Sequence, residues 1–511
     1  MRAVAVACAL VAAACFALAT AAANRVGTPR AGVLLGTPRA DTIRALAGAD
    51  FVDGLGGRDR VAAGPGADRV KAQDGVADAV SCGSGRDVVT GDRGDRVSGD
   101  CELVSRRISR DPFRGPPGQH ETGVAPQAAA HGSVVVAGFQ IGRISEGGAV
   151  AMGWASSRDE GRTWSSGIIG GLTRVREPRG RFERAAGPSV AYDSAHGVWL
   201  VAARAYTLRS EFGLAVVRSE DAVRWELPQI VVSSAGTAVA FEALACDNSA
   251  VSSFRGRCYL VYTVTRGAVG SLELRVTDDG GRTWSDPAEV RPSGTGAVPL
   301  VQPDGTLAIA YFDEDRIHAL VSRDGASSFS PPALLGEARW NVAAGPLLAY
   351  PYPKGSVDAD GSLYVVWHAC AGAGRCRGDL FVTRSRDGAV WSPAARVALP
   401  GRAAGQKVIP ALAASGSGRL ALTFYRLSGR GLDVVFTSSQ DGGATWRRPR
   451  LLNAERMALS WLPVSALPTV GNSLGTVVAG DAAVTVYSLA ARPRPRRLLD
   501  ESVFAARIPL P

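Results

Sequence analysis

Aspartates recur with a period near nine residues in the N-terminal part of the chain. The successive spacings are 9, 9, 9, 10, 9 and 8 residues, and the members are Asp41, Asp50, Asp59, Asp68, Asp78, Asp87 and Asp95. An aliphatic residue follows each of them two positions later, and glycines precede them. Carboxylates stacked on one edge would repel one another unless a hard cation with oxygen ligands neutralised them, and calcium is the natural choice.

The same period predicts the element that positions these carboxylates. One short strand and one tight glycine turn per nine residues describe a parallel β-roll, with the aliphatic side chain inside and the aspartate at the turn. Roughly residues 27–100 resemble the repeats-in-toxin (hemolysin-type) calcium-binding family. The resemblance implies Ca2+ as a cofactor, held together with glycine-turn carbonyls by Asp41, Asp50, Asp59 and Asp68. The alternative is a calcium-free roll held by its aliphatic ladder and a Cys82–Cys101 disulfide.

Arginines near aromatic residues form a second set of candidate groups, farther along the chain. Predicted second strands end in an aromatic residue followed shortly by arginine, as in Phe139/Arg143 and Trp199/Arg204. If these loops converge, they present planar donors suited to a carboxylate or sulfate. The proposed ligand-binding residues are Arg143, Arg204, Arg266, Arg316 and Arg426. Because arginine is abundant in this chain, chance placement is the alternative.

An eight-residue motif recurs six times beyond residue 150 and indicates how the rest of the chain is organised. Its full form, from Ser157 to Trp164, reads Ser-Arg-Asp-Glu-Gly-Arg-Thr-Trp, and its aspartates lie 45 to 63 residues apart, a period typical of propellers or arrays. Each copy sits between strand-like runs, which predicts a turn whose aspartate accepts backbone N–H groups. The motif is similar to the Asp-box, or bacterial neuraminidase repeat. By this resemblance, residues 120–511 form a sialidase-like β-propeller of six to seven blades.

The sialidase resemblance implies an arginine triad for the substrate carboxylate, an aspartate acid/base and a tyrosine nucleophile assisted by glutamate. The family's opening Arg-Ile-Pro reads Val124-Ala125-Pro126 here, without arginine. We therefore predict that the propeller mouth binds an anionic glycan or another anionic surface ligand without standard sialidase chemistry. The alternative is an active exo-α-sialidase or related glycoside hydrolase, whose catalytic candidates are Glu146, Asp313 and Tyr425.

Composition and the N-terminal segment predict the compartment in which the protein acts and the partners that it lacks. The chain of 511 residues carries a net charge of +10, from 57 Lys+Arg against 47 Asp+Glu, but no block of cations that would track nucleic acid. A charged start, an apolar run over residues 3–18 and small residues at 21–23 predict an export signal cleaved after Ala23. A lipoprotein signal at Cys15 is the alternative. We predict a secreted monomer with neither a nucleic-acid partner nor stable membrane insertion.

Six cysteines remain beyond the signal, in three pairs that are each close in sequence, namely Cys82/Cys101, Cys246/Cys258 and Cys370/Cys376. An oxidising compartment favours disulfides within these pairs, and the lack of any CxxC in the sequence disfavours a zinc site. The chain is therefore predicted to be all-β. Its predicted parts are a signal peptide at 1–23, a calcium-binding β-roll at 24–106, a linker at 107–119 and the propeller at 120–511.

Overall fold

The computed structural model of the protein describes residues 21–208, 211–266, 269–339, 347–370, 378–401, 405–493 and 499–511. Apart from a 3-10 helix at Leu459–Trp461, the regular elements in these ranges are β-strands. The chain divides into two compact units. We call residues up to 108 together with 451–456 the solenoid unit, and residues 109–450 with 457–511 the antiparallel unit. No helix within the described ranges is long and apolar enough to cross a membrane.

Ten short strands wind through the solenoid unit in two parallel sheets. The first sheet contains β1 (Asn24–Val26), β3 (Thr42–Arg44), β5 (Arg60–Ala62), β7 (Ala79–Ser81) and β9 (Arg96–Val97). The second contains β2 (Val33–Thr37), β4 (Phe51–Leu55), β6 (Arg69–Ala72), β8 (Val88–Gly91) and β10 (Leu103–Arg107). Each strand pairs in parallel with a strand two repeats later, as Ile43 does with Val61. The resulting arrangement is a β-solenoid of about five turns.

Aliphatic side chains from both sheets fill the inside of the solenoid. Successive residues of a strand point to opposite faces, so Ile43, Val61 and Val80 are buried while their neighbours in the same strands are not. The Cys82–Cys101 disulfide belongs to this core, and the predicted pairing of these two cysteines is confirmed. The nine-residue spacing of aliphatic residues thus supplies one inward side chain per strand.

The antiparallel unit begins with a sheet of eight strands. They are β11 (Gln119–His131), β12 (Val134–Arg143), β13 (Ala149–Ser157), β14 (Ser165–Ile168), β15 (Arg184–Asp193), β16 (Val198–Tyr206), β17 (Glu211–Ser219) and β18 (Gln229–Ala235). Their hydrogen-bonded order is β11-β12-β13-β15-β16-β17-β18, with β14 on the side of β13. The pairing of Ala149 with Ala185 joins β13 to β15 and so links the two halves of the sheet.

Three sheets of four antiparallel strands follow, each in chain order. They contain β19 (Ala238–Cys246), β20 (Cys258–Arg266), β21 (Val269–Thr277), β22 (Ala288–Arg291), β23 (Thr295–Val301), β24 (Leu307–Asp313), β25 (Arg316–Ser322), β26 (Ala333–Glu337), β27 (Lys354–Val357), β28 (Leu363–Cys370), β29 (Gly378–Ser385) and β30 (Ala395–Arg396). The first strand of each sheet pairs only with the strand that follows it in the sequence, so it lies at an edge of its sheet.

The remaining strands complete the antiparallel unit. They are β31 (Gln406–Ala414), β32 (Leu420–Ser428), β33 (Gly431–Ser439), β34 (Arg450–Leu451), β35 (Met457–Ala458), β36 (Val464–Ser465), β37 (Leu467–Pro468), β38 (Gly475–Ala479), β39 (Ala482–Ala490) and β40 (Glu501–Pro509). Strands β31, β32 and β33 pair in order, and β35 pairs with β33. Strands β38, β39 and β40 also pair in order, and all of these pairings are antiparallel.

The Asp-box motifs form turns between strands, as predicted. Asp279 is representative: its Oδ1 accepts the backbone N–H groups of Arg282 at 2.8 Å and Thr283 at 2.9 Å, and its Oδ2 accepts the Thr283 hydroxyl at 2.6 Å. The same carboxylate-to-threonine contacts recur at Asp159 and Asp441. The motif is therefore a folding element, because the aspartate carboxylate accepts hydrogen bonds from within its own turn.

The predicted propeller of six to seven blades is wrong, because the strand arrangement is a β-solenoid of about five turns. The nonapeptide period places every second repeat in one parallel ladder. In the antiparallel unit, the strands expected to form the first two blades belong to a single sheet through the Ala149–Ala185 pairing. Propeller blades are separate sheets of about four strands. The spacing of the Asp-boxes predicted turns correctly, but it does not determine how the strands between them associate.

Two further cysteine pairs concern the antiparallel unit. Cys246 and Cys258 are directly paired residues of β19 and β20 and form a disulfide, which confirms that prediction. Cys370 is also disulfide-bonded, but its predicted partner Cys376 lies outside the described residues. Residues 1–20 of the predicted signal peptide lie outside them as well.

Candidate functional site

The periodic aspartates of the solenoid unit are buried and are all held in the same way. In each case Oδ1 accepts a backbone N–H from two repeats earlier, which belongs to Ala23 for Asp41, to Gly32 for Asp50 and to an aspartate for the other five. The pairs are Asp59 with Asp41 (2.8 Å), Asp68 with Asp50 (2.8 Å), Asp78 with Asp59 (2.8 Å), Asp87 with Asp68 (2.8 Å) and Asp95 with Asp78 (3.0 Å). The carboxylates therefore form two columns, one from the odd and one from the even repeats.

The second carboxylate oxygen is left without a protein partner in much of these columns. Oδ2 is buried and has no hydrogen-bond partner within the described ranges in Asp50, Asp59, Asp68 and Asp87. Burial, together with the charges of Asp78 and Asp41, raises the pKa of Asp59 to about 7, and burial raises that of Asp68 to about 6. Because unpaired buried charges are costly, these columns need a cation to remain ionised inside the fold.

Glycine turns bring carbonyl oxygens next to these free carboxylate oxygens. A Cβ placed on Gly54 would stand less than 3.0 Å from Oδ2 of Asp59, and one on Gly36 would stand that close to both Oδ2 of Asp41 and the Gly54 carbonyl oxygen. Within the described residues, no three His, Cys, Asp or Glu side chains cluster as metal ligands. An all-oxygen set of this kind is the one that calcium prefers. Of the predicted ligands, Asp50, Asp59 and Asp68 thus fit calcium. In Asp41, Oδ1 already accepts the Thr37 hydroxyl and Oδ2 the Thr37 N–H.

A cavity of about 300 Å³ lies within the antiparallel unit. Its wall comes from the strands β11, β12, β15, β16, β19, β23, β27, β31 and β38 and from loop residues around 348–352 and 469–474. Five of these strands share a register shift that coincides with a residue at positive φ. These residues are Ala125, Gly187, Phe241, Gly296 and Ile409. Such bulges redirect side chains, and here they turn polar groups toward the cavity.

Two of the predicted arginines, Arg143 on β12 and Arg204 on β16, line this cavity. Nη1 of Arg143 donates to Gln140 Oε1 and to the Gly148 carbonyl, both at 2.9 Å, whereas its Nε is buried without a partner in the described chain. Burial lowers the pKa of Arg143 to about 10, and the positive charge of Arg204 acts in the same direction. An anion in the cavity would relieve both effects.

Arg204 is held by aromatic rings and not by a carboxylate hydrogen bond to its guanidinium. Its Cζ lies 5.6 Å from the ring centroid of Tyr206 and 5.9 Å from that of Phe241, which are cation–π distances. Its Nε is buried and has no hydrogen-bond partner among the described atoms. The side chain therefore has donors available for a ligand.

Glu242, on β19, brings a titratable carboxyl group into the same cavity. Oε1 accepts the backbone N–H of Arg204 at 2.6 Å, while Oε2 is buried without a hydrogen-bond partner in the described ranges. Burial raises the pKa of Glu242 to about 7, although the Arg204 charge opposes the shift. Near neutral pH this carboxyl group is therefore divided between its neutral and ionised forms.

Tyr352 and Lys354 complete the set of functional groups around the cavity. The Tyr352 ring centroid lies 4.8 Å from that of Phe241, and these two rings form an apolar part of the cavity wall, with the Tyr350 ring centroid 5.3 Å from that of Tyr352. Burial raises the pKa of Tyr352, and burial lowers the pKa of Lys354, which is half-buried, to about 8. The cavity thus combines two guanidinium groups, an ammonium group, a carboxyl group and a phenol.

The other three predicted arginines do not line this cavity and are engaged in ion pairs. Arg266 lies 2.9 Å from Glu273, Arg316 lies 3.3 Å from Glu337, and Arg426 lies 2.9 Å from Asp433. Each of these pairs joins neighbouring strands of one sheet. The arrangement brings Arg143 and Arg204 together at the cavity, and it neutralises Arg266, Arg316 and Arg426 elsewhere.

The three catalytic candidates also lie away from the cavity lining. Glu146 is exposed and lies 3.5 Å from Arg184, and Asp313 accepts the Ser293 hydroxyl at 2.7 Å. Tyr425 is fully buried; its hydroxyl donates to the Ser488 carbonyl at 3.1 Å and accepts the Ser488 N–H at 2.9 Å. Burial raises the pKa of Tyr425, which suits a structural role.

Sequence reasoning missed Glu242, Tyr352 and Lys354. One signal was present for Lys354, because the chain has 57 Lys+Arg of which only Lys71, Lys354 and Lys407 are lysine. Where arginine serves almost everywhere as the cation, a lysine stands out. Glu242 and Tyr352 carry no comparable signal in their local sequence.

Comparison with known proteins identifies one sequence family. Residues 35–70 match the RTX calcium-binding nonapeptide repeat, in four copies. RTX nonapeptide repeats bind calcium, so the predicted cofactor is confirmed, and proteins that carry them are typically secreted. No curated protein sequence shows significant similarity to the chain.

Solved structures with a similar course of the chain include several glycan-processing enzymes. Hadza microbial sialidase Hz136 is 17% identical, with 75% of this chain and 74% of that chain covered and a TM-score of 0.43. An ulvan lyase of polysaccharide lyase family PL25 is 12% identical over 76% of this chain and 94% of that chain, with a TM-score of 0.48. The endosialidase of phage phi92 is 13% identical over 80% and 69%, with a TM-score of 0.44. At these scores the likenesses support no conclusion about activity.

Proposed function

We propose that the cavity of the antiparallel unit binds an anionic sugar, whose carboxylate or sulfate is received by Arg143, Arg204 and Lys354. The observation that carries the proposal is the meeting of these cations at one cavity, with the Nε atoms of both arginines buried and lacking a partner among the described atoms. A buried donor without a partner is costly. A planar anion would satisfy both guanidinium groups and offset their mutual repulsion.

The rest of the cavity suits the uncharged part of a sugar. Phe241 and Tyr352 provide flat apolar surface. Asn472 Oδ1 is buried without a hydrogen-bond partner in the described chain and would accept a sugar hydroxyl. The volume of about 300 Å³ lies at the lower end of ligand pockets. A single anionic sugar residue is therefore the proposed occupant.

Calorimetric titration with N-acetylneuraminic acid and glucuronic acid tests this function, with glucose as the uncharged control. The double variant R143Q/R204Q should lose binding by about tenfold or more, because hydrogen bonds to charged groups contribute about 1.5–3 kcal/mol each. The matched double variant R266Q/R316Q removes two exposed, ion-paired arginines outside the cavity and should bind as the wild type does. Equal affinity of all three proteins, or equal binding of glucose, would contradict the proposal.

Glycoside hydrolysis is the second candidate function. The observation that favours it is that Glu242, with a pKa of about 7, and Tyr352 line the same cavity as the two arginines. In this reaction the Tyr352 oxygen would attack the anomeric carbon while Glu242 takes its proton. The glycosidic C–O bond would break, the aglycone oxygen would receive the proton from Glu242, and water would then release the sugar from Tyr352. Burial opposes ionisation of Tyr352, which is why binding is the first proposal. Turnover of a fluorogenic sialoside that is lost in both Y352F and E242Q would establish hydrolysis.

We also propose that the protein acts outside the cytosol, after removal of residues 1–23. Two observed disulfides support an oxidising compartment. The proposed working parts are the calcium-binding roll at 24–106, the linker at 107–119 and the sugar-binding part at 120–511. N-terminal sequencing of the protein recovered from culture medium, beginning at Asn24, would test the cleavage site.

A further inference from the structure

Three arginines stand on the outer face of the first sheet of the solenoid unit with their charges unpaired. Arg44, Arg60 and Arg96 belong to β3, β5 and β9 and are exposed. Within the described chain, none of the three side chains has a hydrogen bond or an ion pair. We call Arg44, Arg60 and Arg96 the arginine face. Arg266, Arg316 and Arg426, by contrast, each pair with a carboxylate on a neighbouring strand.

Strand register fixes how the arginine face is laid out. Arg60 pairs with Ala79, and Ala79 pairs with Arg96, so the two arginines share one row and are two strands apart. Two strand spacings amount to about 10 Å. Arg44 lies on β3, the strand that flanks β5 on the side away from β7. It pairs with Ala62, so it is displaced by two residues along the strand from the position opposite Arg60. The three charges thus mark out a line that crosses the strands.

Small side chains between the arginines leave a shallow groove of about 470 Å³. Ala62, Ala79, Ser81 and Ser98 form much of its floor, and the three arginines line it. The groove is open, in contrast to the cavity of the antiparallel unit. A polymer chain could lie along it, whereas the cavity suits one sugar residue.

The buried aspartates at the turns of this unit do not line the groove beside the arginine face. Asp41, Asp59, Asp78 and Asp95 are buried at the turns, with their Oδ1 atoms used by backbone N–H groups. These four carboxylates do not line the groove, whereas the exposed Asp100 accepts the hydroxyl of Ser98 at its edge. The outward potential over the groove is set by the unpaired arginines.

We propose that the arginine face binds a linear anionic polysaccharide, a chain with carboxylate or sulfate groups on successive sugars. Guanidinium groups about 10 Å apart suit a polymer with repeated anionic groups. The hydroxyl group of Thr42 can hydrogen-bond to a sugar hydroxyl, and those of Ser81 and Ser98, which donate to the Val61 carbonyl and to Asp100, can still accept from one. Single-stranded nucleic acid is less suited, because none of the groove-lining residues is aromatic and bases would find no ring to stack on.

Binding assays on the full chain with calcium present test this site. The probes are polygalacturonate, dextran sulfate, uncharged dextran and single-stranded DNA, at two salt concentrations. The variant R44Q/R60Q/R96Q should bind the anionic polysaccharides about tenfold or more weakly. A plot of the logarithm of the association constant against the logarithm of the salt concentration should also become less steep by about 2, since each lost arginine–anion contact contributes about 0.7. Polygalacturonate and dextran sulfate separate a preference for carboxylate from one for sulfate.

The matched control R30Q/R255Q/R448Q removes the same charge from exposed arginines away from the groove and should keep wild-type affinity. If the face and control variants lose affinity equally, net charge and not this site explains the binding. Tighter binding of DNA than of both polysaccharides, or equal binding of uncharged dextran, would also overturn the proposal. If the triple variant fails to fold, the single variant R60Q, measured in parallel, should still bind the anionic polysaccharides more weakly than the wild type does.

Discussion

Oε1 of Glu242 accepts the main-chain N–H of Arg204 at 2.6 Å, and the charge of Arg204 acts on the same carboxyl group that burial holds at a pKa of about 7. The protonation of Glu242 therefore sets the charge of the cavity. When the carboxyl group is neutral, the charges of Arg143 and Arg204 are free to act on a ligand. When it ionises, it competes with an anionic ligand for Arg204.

Anion binding by the cavity should weaken as the pH rises through about 7. Glu242 becomes negative in that range, and Lys354, whose pKa burial lowers to about 8, loses its positive charge slightly above it. Both changes disfavour an anion. Calorimetric titrations of glucuronic acid between about pH 5.5 and 8.5 should show this trend, and E242Q should remove the part centred near pH 7. An affinity for glucuronic acid that is constant over this range would contradict the role given to Glu242.

Folding stability should carry the same signature of Glu242. Its folded-state pKa of about 7 lies above the usual 4.5, so the folded protein holds a proton that the unfolded chain has lost between these values. The resulting stabilisation is fully present below about pH 4.5 and is lost as the pH rises through about 7, by about 3 kcal/mol in all. Urea unfolding of wild type and E242Q at about pH 5 and 8 gives the difference. The prediction fails if the two proteins lose equal stability over this interval.

Removing calcium should loosen the solenoid unit and leave the antiparallel unit unchanged. The carboxylate columns have buried Oδ2 atoms that a cation would satisfy, and like charges would otherwise face each other there. Hydrogen exchange with and without a chelator should show lost protection within residues 27–100. D59N should also bind calcium on the order of tenfold more weakly, while D286N, at an exposed residue of the antiparallel unit, should not. Hydrogen-exchange protection that does not change on chelation would contradict the claim that calcium stabilises the solenoid unit.

Replacing Asp279 should lower stability without affecting ligand binding. Although burial opposes it, the hydrogen bonds from Thr283 and Thr277 hold the pKa of Asp279 at about 2, so the ionised form is stabilised in the folded state. D279A should therefore lose about 1–3 kcal/mol above pH 4, an effect that disappears as the pH falls through about 2. The control is D286A, at an exposed residue whose carboxylate has no hydrogen bond or ion pair within the described chain, and it should lose little. Equal losses would argue against the turn as the cause.

The sequence was informative wherever one repeat contained all the needed information. The nonapeptide spacing of Asp41, Asp50 and Asp59 predicted the stacked strands, because one strand and one turn lie within nine residues. The Asp-box predicted its turn for the same reason, since Asp279 and Thr283 are four residues apart. Association between sheets depends on pairings such as Ala149 with Ala185, which no local pattern marks.

The cavity shows why the site was only partly predicted. Arg143 and Arg204 followed from their position at strand ends, but Glu242 faces the cavity next to a bulge at Phe241, which has a φ of 54°. At Gly187 and Gly296 a positive φ is easy for the residue, whereas phenylalanine adopts it only when the surrounding fold imposes it. No sequence rule predicts such a bulge. Tyr352 reaches the same place from 110 positions farther along the chain than Glu242, so tertiary structure alone brings them together.

The hydrogen bonds within the carboxylate columns also impose a direction on assembly. The backbone N–H of Asp41 is completed by Asp59, that of Asp59 by Asp78, and that of Asp78 by Asp95. The other column ends where Glu102 accepts the N–H of Asp87 at 2.9 Å. Each aspartate N–H thus receives its hydrogen-bond acceptor from a repeat that is synthesised later. In a growing chain, the aspartate N–H groups of the most recent repeats therefore lack their carboxylate acceptors. In the column that contains Asp87, Glu102 supplies the last acceptor.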